Sequence, residues 1–262
     1  MRNIFKLIFP GIVIGLSWNY PGHNFVKDEF SDRKEWIKDV TKKYSPSRSF
    51  FISFPLKSLF PSKELKAVIP KTHRTFRFDT YINGITSTQE EGIIGLLNEL
   101  HSYYLESKFC YELLEPYKIA EGSDASGFFE WVHNSQSRMS AFFEFDYFIK
   151  EYLLYMKKEY PAGYRELKNC KSFIEAYTSI RTSYNELINI YLQKIKIEMT
   201  GLNSSGKAEV SLENYMLWVR EGNRNTSVGT PVFSADMEIL LSVLESSRYM
   251  KISEDFPDIK IK

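Results

Sequence analysis

The chain is 262 residues long, with 43% apolar and 26% charged residues, the make-up of an ordinary folded protein. That excludes a disordered chain, a collagen and a multi-span membrane protein. Lys plus Arg (34) nearly equals Asp plus Glu (33), for a net charge of +1, so no basic surplus points to nucleic acid.

Met1 to Trp18 reads MRNIFKLIFPGIVIGLSW. Arg2 and Lys6 stand in or before an apolar run, which resembles a signal-peptide core. Pro10 interrupts the run, no clean small-x-small cleavage site follows, and the stretch is too short to span a bilayer. The reading favours a buried N-terminal segment of a cytoplasmic protein over secretion. Residues 1–86 carry Pro10, Pro21, Pro46, Pro55, Pro61 and Pro70, so an irregular section packed on the core is expected. One helix fits between Ser31 and Lys43, and short β pieces fit Phe50–Phe54 and Thr75–Tyr81.

From residue 87 a helical domain is expected to run to 262. Ser87-Thr88-Gln89-Glu90 is a capping-box pattern. Ile93, Leu97, Leu100 and Tyr104 follow at helical spacing, giving a helix at 88–106. Residues 107–135 read as mixed, with a turn cluster from Gly122 to Gly127. A helix rich in Phe and Tyr is expected at 137–158, and Pro161 opens a short one to Asn169. Ser172 caps a further turn or two. The longest stripe is Ile180, Tyr184, Leu187, Ile188, Tyr191, Ile195 and Met199, stopping at Gly201. A polar loop at 202–207, a helix at 211–220, a loop at 221–231 and a last helix at 234–250 complete the reading. The helix through Tyr184 and Tyr191 is expected to be the most buried, against the 137–158 and 234–250 helices.

Few motifs carry chemistry. Cys110 and Cys170 are the two cysteines, too few for a disulfide framework or a zinc knuckle. Glu130-x-x-His133 matches half of a di-iron ligand set, but none of His23, His73 and His101 repeats it. Phosphate loops, dinucleotide fingerprints and Gly-x-Ser-x-Gly are absent. Glu144 and Asp146, two apart, do not share a helix face and read as solvated or capping acids.

The order of motifs over residues 127–250 resembles the large helical domain of indoleamine 2,3-dioxygenases, heme enzymes that open the indole ring. Asn134-Ser135-Gln136-Ser137-Arg138-Met139-Ser140 precedes Phe145-Asp146, as the family's distal loop precedes its Phe-Asp. Tyr155-Met156-Lys157-Lys158-Glu159-Tyr160-Pro161, with Arg165 after it, is similar to the family's Met-(Arg/Lys)-x-Tyr-Met-Pro stretch. Ile180-Arg181-Thr182-Ser183-Tyr184-Asn185 resembles the start of its long proximal helix. Val228-Gly229-Thr230-Pro231 resembles the start of its mobile loop, with Pro231 where the family has Gly.

The resemblance implies a mainly α bundle, a heme cofactor, and O2 delivered to an indole or related aromatic amine. It matches Ser135, Ser140 and Arg138 to the cofactor side and Gly229 and Thr230 to the substrate side. The family's heme-ligating His, however, falls on Glu198, and no histidine follows His133. A carboxylate is a hard ligand for ferrous heme. Glu198, Tyr191, Tyr184, His133 or water remain as axial candidates, with Arg138, Lys194 and Lys196 as basic rim groups. Two functions follow: a heme-dependent oxygenase, or a non-catalytic member of the fold that has lost heme and binds a small aromatic ligand or a protein partner. Both expect Glu198, Ser135, Ser140 and Gly229-Thr230 around one pocket.

Overall fold

The computed structural model describes residues 3–6, 51–54, 59–85, 87–222, 226–234 and 237–256. Strands β1 (Asn3–Lys6) and β2 (Phe51–Phe54) pair antiparallel. Two 3-10 turns, Ser62–Ala67 and Lys71–His73, lead to α1 (Phe76–Tyr81), α2 (Ser87–Glu90) and α3 (Ile93–Glu112). Then come α4 (Leu114–Glu121), α5 (Asp124–Glu159), α6 (Pro161–Lys168) and α7 (Lys171–Ser205). A three-stranded antiparallel sheet of β3 (Ala208–Glu213), β4 (Met216–Glu221) and β5 (Val228–Pro231) precedes α8 (Met237–Leu244) and α9 (Ser247–Glu254). The architecture is mainly α. Among the described residues no helix is long and apolar enough to cross a membrane.

The organising element is α5. Met139 to Leu153 is buried at every position, and α5 packs against α3, α4, α6, α7, α8, α9, β4 and β5. A helix apolar on one stripe can lie at a surface, whereas one enclosed on all sides must be a core element. The α7 stripe does face inward, with Tyr184, Leu187, Ile188, Tyr191 and Ile195 all buried. Yet α7 leaves Ile190 and Ile197 exposed, so it flanks the hub and the expectation that it is the central helix is corrected. It packs on α3, α5, α6 and β3.

Other expectations also change. The cluster at 122–127 holds a single break: Gly122 (φ +65°) ends α4 in the left-handed conformation, and the Ser123 hydroxyl caps α5 by accepting from Ser126 N. Gly127 is inside α5, where a Cβ would come 2.3 Å from Lys118 Cα. Its lack of a side chain lets α4 lie against α5, so the 107–135 stretch is helical throughout most of its length. Residues 75–81 alternate over too few positions to fix a strand. They form α1, which turns Arg77 and Phe78 inward together. The 211–220 segment is a hairpin rather than a helix: Val210, Leu217 and Val219 are buried at period two. Asn214 (φ +49°) and Tyr215 (φ +59°) make its tight turn. Residues 202–205 extend α7 to a left-handed Gly206, with Gly201 inside the helix, and α7 starts from Cys170 rather than Ser172. The last helix divides into α8 and α9, and α2 and α3 part at Gly92 (φ +58°). The expected strand at 50–54 is β2. The expected helix at 31–43, His23 and most of the apolar N-terminal run lie outside the described residues.

The outer edge of β3 is closed by a side chain. Asn203 Nδ2 donates to Val210 O at 2.8 Å, and Asn203 Oδ1 accepts from Val210 N at 2.8 Å.

Glu144 and Asp146 are not solvated or capping acids: both are buried in the middle of α5. Asp146 accepts from Lys150 (2.7 Å), Arg181 Nε (3.1 Å) and Tyr177 Oη (2.8 Å). Burial opposes its ionisation, but Lys150 and Arg181 outweigh that and hold the carboxyl below the ordinary Asp range. Its contribution is therefore present above about pH 4 and is lost as pH falls further. Removing one member of a buried ion pair typically costs about 3–5 kcal/mol. Asp146→Asn should lower the unfolding free energy by about that much in urea titrations at pH 7. A loss under about 1 kcal/mol would show that this cluster does not hold α7 on α5.

Candidate functional site

On α3, Glu99, Tyr103, Glu106 and Cys110 recur at spacings of four, three and four, one stripe along the helix. The opposite stripe, with Ile93, Leu97 and Leu100, is buried in the core. The polar stripe faces Arg77 and Tyr81 from α1 and Ser137 and Arg138 from α5. Together these groups line a recess.

The recess is built from interlocked contacts. Arg77 N donates to Glu144 Oε1 (3.2 Å), and its Nη1 forms a short ion pair with Oε2. Arg77 Nη2 donates to Ser137 O (2.8 Å) and Oγ (3.2 Å). The guanidinium carbon lies 4.4 Å from the Tyr103 ring centre, a cation–π contact. Tyr103 and Tyr81 hydroxyls are 3.3 Å apart, and both rings pack on Phe145. Arg138 reaches Glu106 at 3.8 Å and donates to Asn134 O at 3.0 Å. At the floor, Tyr184 Oη donates to Arg138 O and meets Ser107 Oγ at 2.8 Å.

Its electrostatics are unusual for a half-open surface. Glu106 keeps 38% of its side chain exposed, yet burial raises its carboxyl, with Arg138 and Arg77 opposing. Burial also pushes Glu99 up to about 7, reinforced by Glu106 and Glu91 and opposed by a hydrogen bond from Tyr81. The Cys110 thiol is raised too, chiefly by burial. A carboxyl near neutrality beside a phenol, with no cation among its influences, can hold an ammonium group or exchange a proton at pH 7. The signal for this site was present in the spacing of Glu99, Tyr103, Glu106 and Cys110, on the polar side of a helix read by its apolar side.

The residues matched to the dioxygenase pattern fall into separate contact sets. Ser135 and Ser140 lie inside α5, both buried, rather than on a loop. Ser140 Oγ donates to Gln136 O (2.7 Å) and accepts from Ser234 N (2.8 Å). Thr230 is buried on β5, its hydroxyl 3.1 Å from His133 Nδ1. Gly229 pairs with Trp218 across the sheet, and a Cβ there would meet the indole ring at 2.7 Å. These groups cluster along α5 and β5. Arg138 belongs to the recess instead. Glu198 joins Lys118 (2.8 Å) and Lys194 (2.8 Å), and no hydrogen bond or ion pair among the described residues links it to the other sets. Burial disfavours its charge, but the two lysines prevail and its carboxyl stays below the ordinary range. Lys118 also borders an open cavity of about 520 Å³ at the start of α5, lined by Asp124, Lys207 and Glu221 among others. There Glu221 accepts from the Ser126 hydroxyl at 2.9 Å, and Lys207 pairs with Asp124.

These contacts test the chain against heme. An axial carboxylate at Glu198 would have to leave two ammonium partners. Tyr184 is committed to Ser107 and Arg138 O. Tyr191 is packed by Trp131 (5.1 Å) and Phe233 (6.4 Å). Lys196 is exposed. Glu198 and Tyr184 therefore do not fit an axial-ligand role, whereas the Tyr191 hydroxyl is enclosed without a hydrogen-bond partner and His133 Nδ1 meets Thr230. Among the described residues, no group of three or more His, Cys, Asp or Glu could hold a metal ion.

The raised Glu99 carboxyl has a thermodynamic signature. Its folded-state value of about 7 lies above its ordinary 4.5, so between those values the folded state binds more protons than the unfolded one. Stability then falls as pH rises across that window. Unfolding curves at pH 5 and pH 8 should show that fall in the native sequence and a flatter profile in Glu99→Gln. Equal slopes would mean that Glu99 is solvated. Comparison with protein families, with curated proteins and with solved structures finds no match to this chain.

Proposed function

We propose that this chain is a non-catalytic, heme-free ligand-binding protein that takes a small aromatic amine in the recess between α1, α3 and α5. The observation that carries the reading is the double pairing of Glu198 with Lys118 and Lys194, which commits the carboxylate at the position matched to the dioxygenase axial ligand. Glu198 is the position that the resemblance gives to the axial ligand of the oxygenase reading.

What supports an amine ligand is the charge balance around α3. Glu144 is neutralised by Arg77, and Glu106 faces Arg138 at a loose 3.8 Å. The influences on Glu99 include two further carboxylates and no cation. An incoming ammonium would supply the missing charge, and Tyr81 and Tyr103 would offer their ring faces to the aromatic part.

Calorimetric titration with tryptamine and phenethylamine tests the binding. Glu99→Gln should weaken it about tenfold, the 1.4 kcal/mol scale of one charge-assisted hydrogen bond. Neutral indole should bind more weakly than tryptamine. Absorption spectra with added hemin, reduced and treated with CO, test the loss of heme. The native protein and Glu198→Ala should give indistinguishable spectra. A sharp Soret band that shifts with CO and disappears in Glu198→Ala would overturn the reading in favour of the oxygenase.

A further inference from the structure

The three-stranded sheet turns one face to the core and the other to solvent. Alternation along β3 and β4 puts Val210, Leu217 and Val219 inside. Glu209, Ser211 and Glu213 of β3 and Met216, Trp218 and Arg220 of β4 therefore share the outer face. Trp218 stands in the middle of it, opposite Ser211 on one side and Gly229 of β5 on the other.

The indole lies flat on the sheet. A Cβ built on Gly229 would come 2.7 Å from Trp218 Cζ3, 2.8 Å from Cε3 and 3.1 Å from Cη2. These are three consecutive atoms of the six-membered ring. A point in the ring plane beyond Cζ3 would be much farther from the two flanking atoms than from Cζ3, so the near-equal distances put the Cβ position over the ring face. The bare backbone of Gly229 thus covers one face of the indole, and a side chain there would push the ring away. Covering a strand glycine is a structural use for an aromatic ring, but it consumes one face only. Trp218 keeps 40% of its surface exposed, and the opposite face looks to solvent.

The surroundings select the occupant. Glu209 and Arg220 are paired directly across β3 and β4, and Ser211 and Glu213 are exposed beside them. The centre of a protein–protein contact is depleted in charge, which disfavours a protein partner seated on this indole. Two carboxylates, Glu209 and Glu213, against one guanidinium on the same face disfavour an anion such as a nucleotide. A pyranose of the β-gluco configuration meets the pattern. All its hydroxyls are equatorial, so each ring face carries C–H groups alone and the hydroxyls form a rim. The C–H face stacks on a π face, and the rim needs donors and acceptors around it, which the carboxylates, the guanidinium and the Ser211 hydroxyl supply.

We propose that the outer face of this sheet is a carbohydrate-binding platform on which Trp218 stacks a β-gluco-configured sugar ring, with Glu209, Ser211 and Arg220 bonding its hydroxyls. Gly229 provides the level seat that holds the indole parallel to the sheet. The platform shares no residue with the amine recess and does not depend on it.

The probe is cellotriose, titrated into the full-length protein labelled with nitrogen-15. The Trp218 indole N–H resonance, assigned by its loss in Trp218→Ala, should shift saturably, half-saturating at about 1–10 mM as befits a single shallow platform. The Ser211 and Arg220 amides should shift with it, and those shifts should vanish in Trp218→Ala. Gly229→Ala keeps the indole but places a methyl group beneath it, so half-saturation should rise about fivefold or more. Circular dichroism and melting temperature check that each variant is folded. Should Gly229→Ala unfold, Arg220→Gln at the exposed rim should weaken binding about threefold. Sorbitol, which has the hydroxyls without the ring, should give no shift. Glu99→Gln should leave cellotriose binding intact and Trp218→Ala should leave tryptamine binding intact, so the two sites fail separately. The proposal is overturned if cellotriose gives no saturable shift, if the amide shifts survive in Trp218→Ala, if folded Gly229→Ala binds with native affinity, or if sorbitol matches cellotriose. A polyproline peptide that shifts the indole more strongly than cellotriose would also overturn it, making this face a protein-docking surface.

Discussion

Burying charge inside a helix that has no free face is the constraint on which the rest of this structure depends. Glu144, Asp146, Lys150 and Glu151 all lie within the fully enclosed part of α5. An isolated charge there would be prohibitively costly, so each must meet a partner with good geometry. Lys150 answers Asp146 from the next turn, and every other partner comes from a different element. Arg77 of α1 answers Glu144, Arg181 and Tyr177 of α7 answer Asp146, and Arg248 and Tyr249 of α9 answer Glu151. Apolar packing alone would let these helices slide or rotate by a fraction of a turn at modest cost. A guanidinium that must find one carboxylate permits far less. The pairs add little net stability over well-packed apolar side chains, but they fix where the chain's beginning, middle and end meet α5.

The same pairs also prepare the recess where amine binding is proposed. Arg77 is drawn down by Glu144, and in that position it lies over Tyr103 and shapes one wall of the recess. Glu99 is left outside this neutralised core, which is why its carboxyl is the one pushed toward neutrality. Glu151 is tied to α9 by the Arg248 guanidinium and the Tyr249 hydroxyl. Around Glu198 the charges balance, with Lys118 and Lys194 facing Glu198 and with Lys118 shared with Glu115.

Long elements were legible in the sequence because their apolar spacing is sustained. The α7 stripe from Ile180 to Ile195 is buried as its period requires, and Pro161 opens α6 as expected. The centrality of α5 was not legible from periodicity, since a helix buried on all sides has no stripe to detect. Its Glu144 and Asp146 looked like surface acids because their partners are 67 and 35 residues away in the chain. Short elements failed for a related reason. Seven residues around Arg77 alternate over too few positions to fix a strand, and the carboxylate that Arg77, in α1, meets is 67 residues away. The β3–β4 hairpin turns on Asn214-Tyr215, and Tyr at positive φ is rare enough that the sequence pattern concealed it. The recess was half visible: Arg138 stands among the motif residues, while the helix opposite it shows its apolar side in the sequence far more plainly than its Glu99–Tyr103–Glu106 stripe.

The Asn203 side chain has a bearing on how this protein survives crowding. A strand at the margin of a sheet offers its amide and carbonyl groups to any extended chain that drifts past, and such templating is how many folded proteins begin to aggregate. By taking both polar groups of Val210 with one carboxamide, Asn203 acts as a one-residue imitation strand and stops the sheet from growing on that side. At the other margin β5 has four residues and ends on Pro231, which has no N–H to offer. The sheet is thus blunted at both margins, beside its exposed Trp218 and Val228.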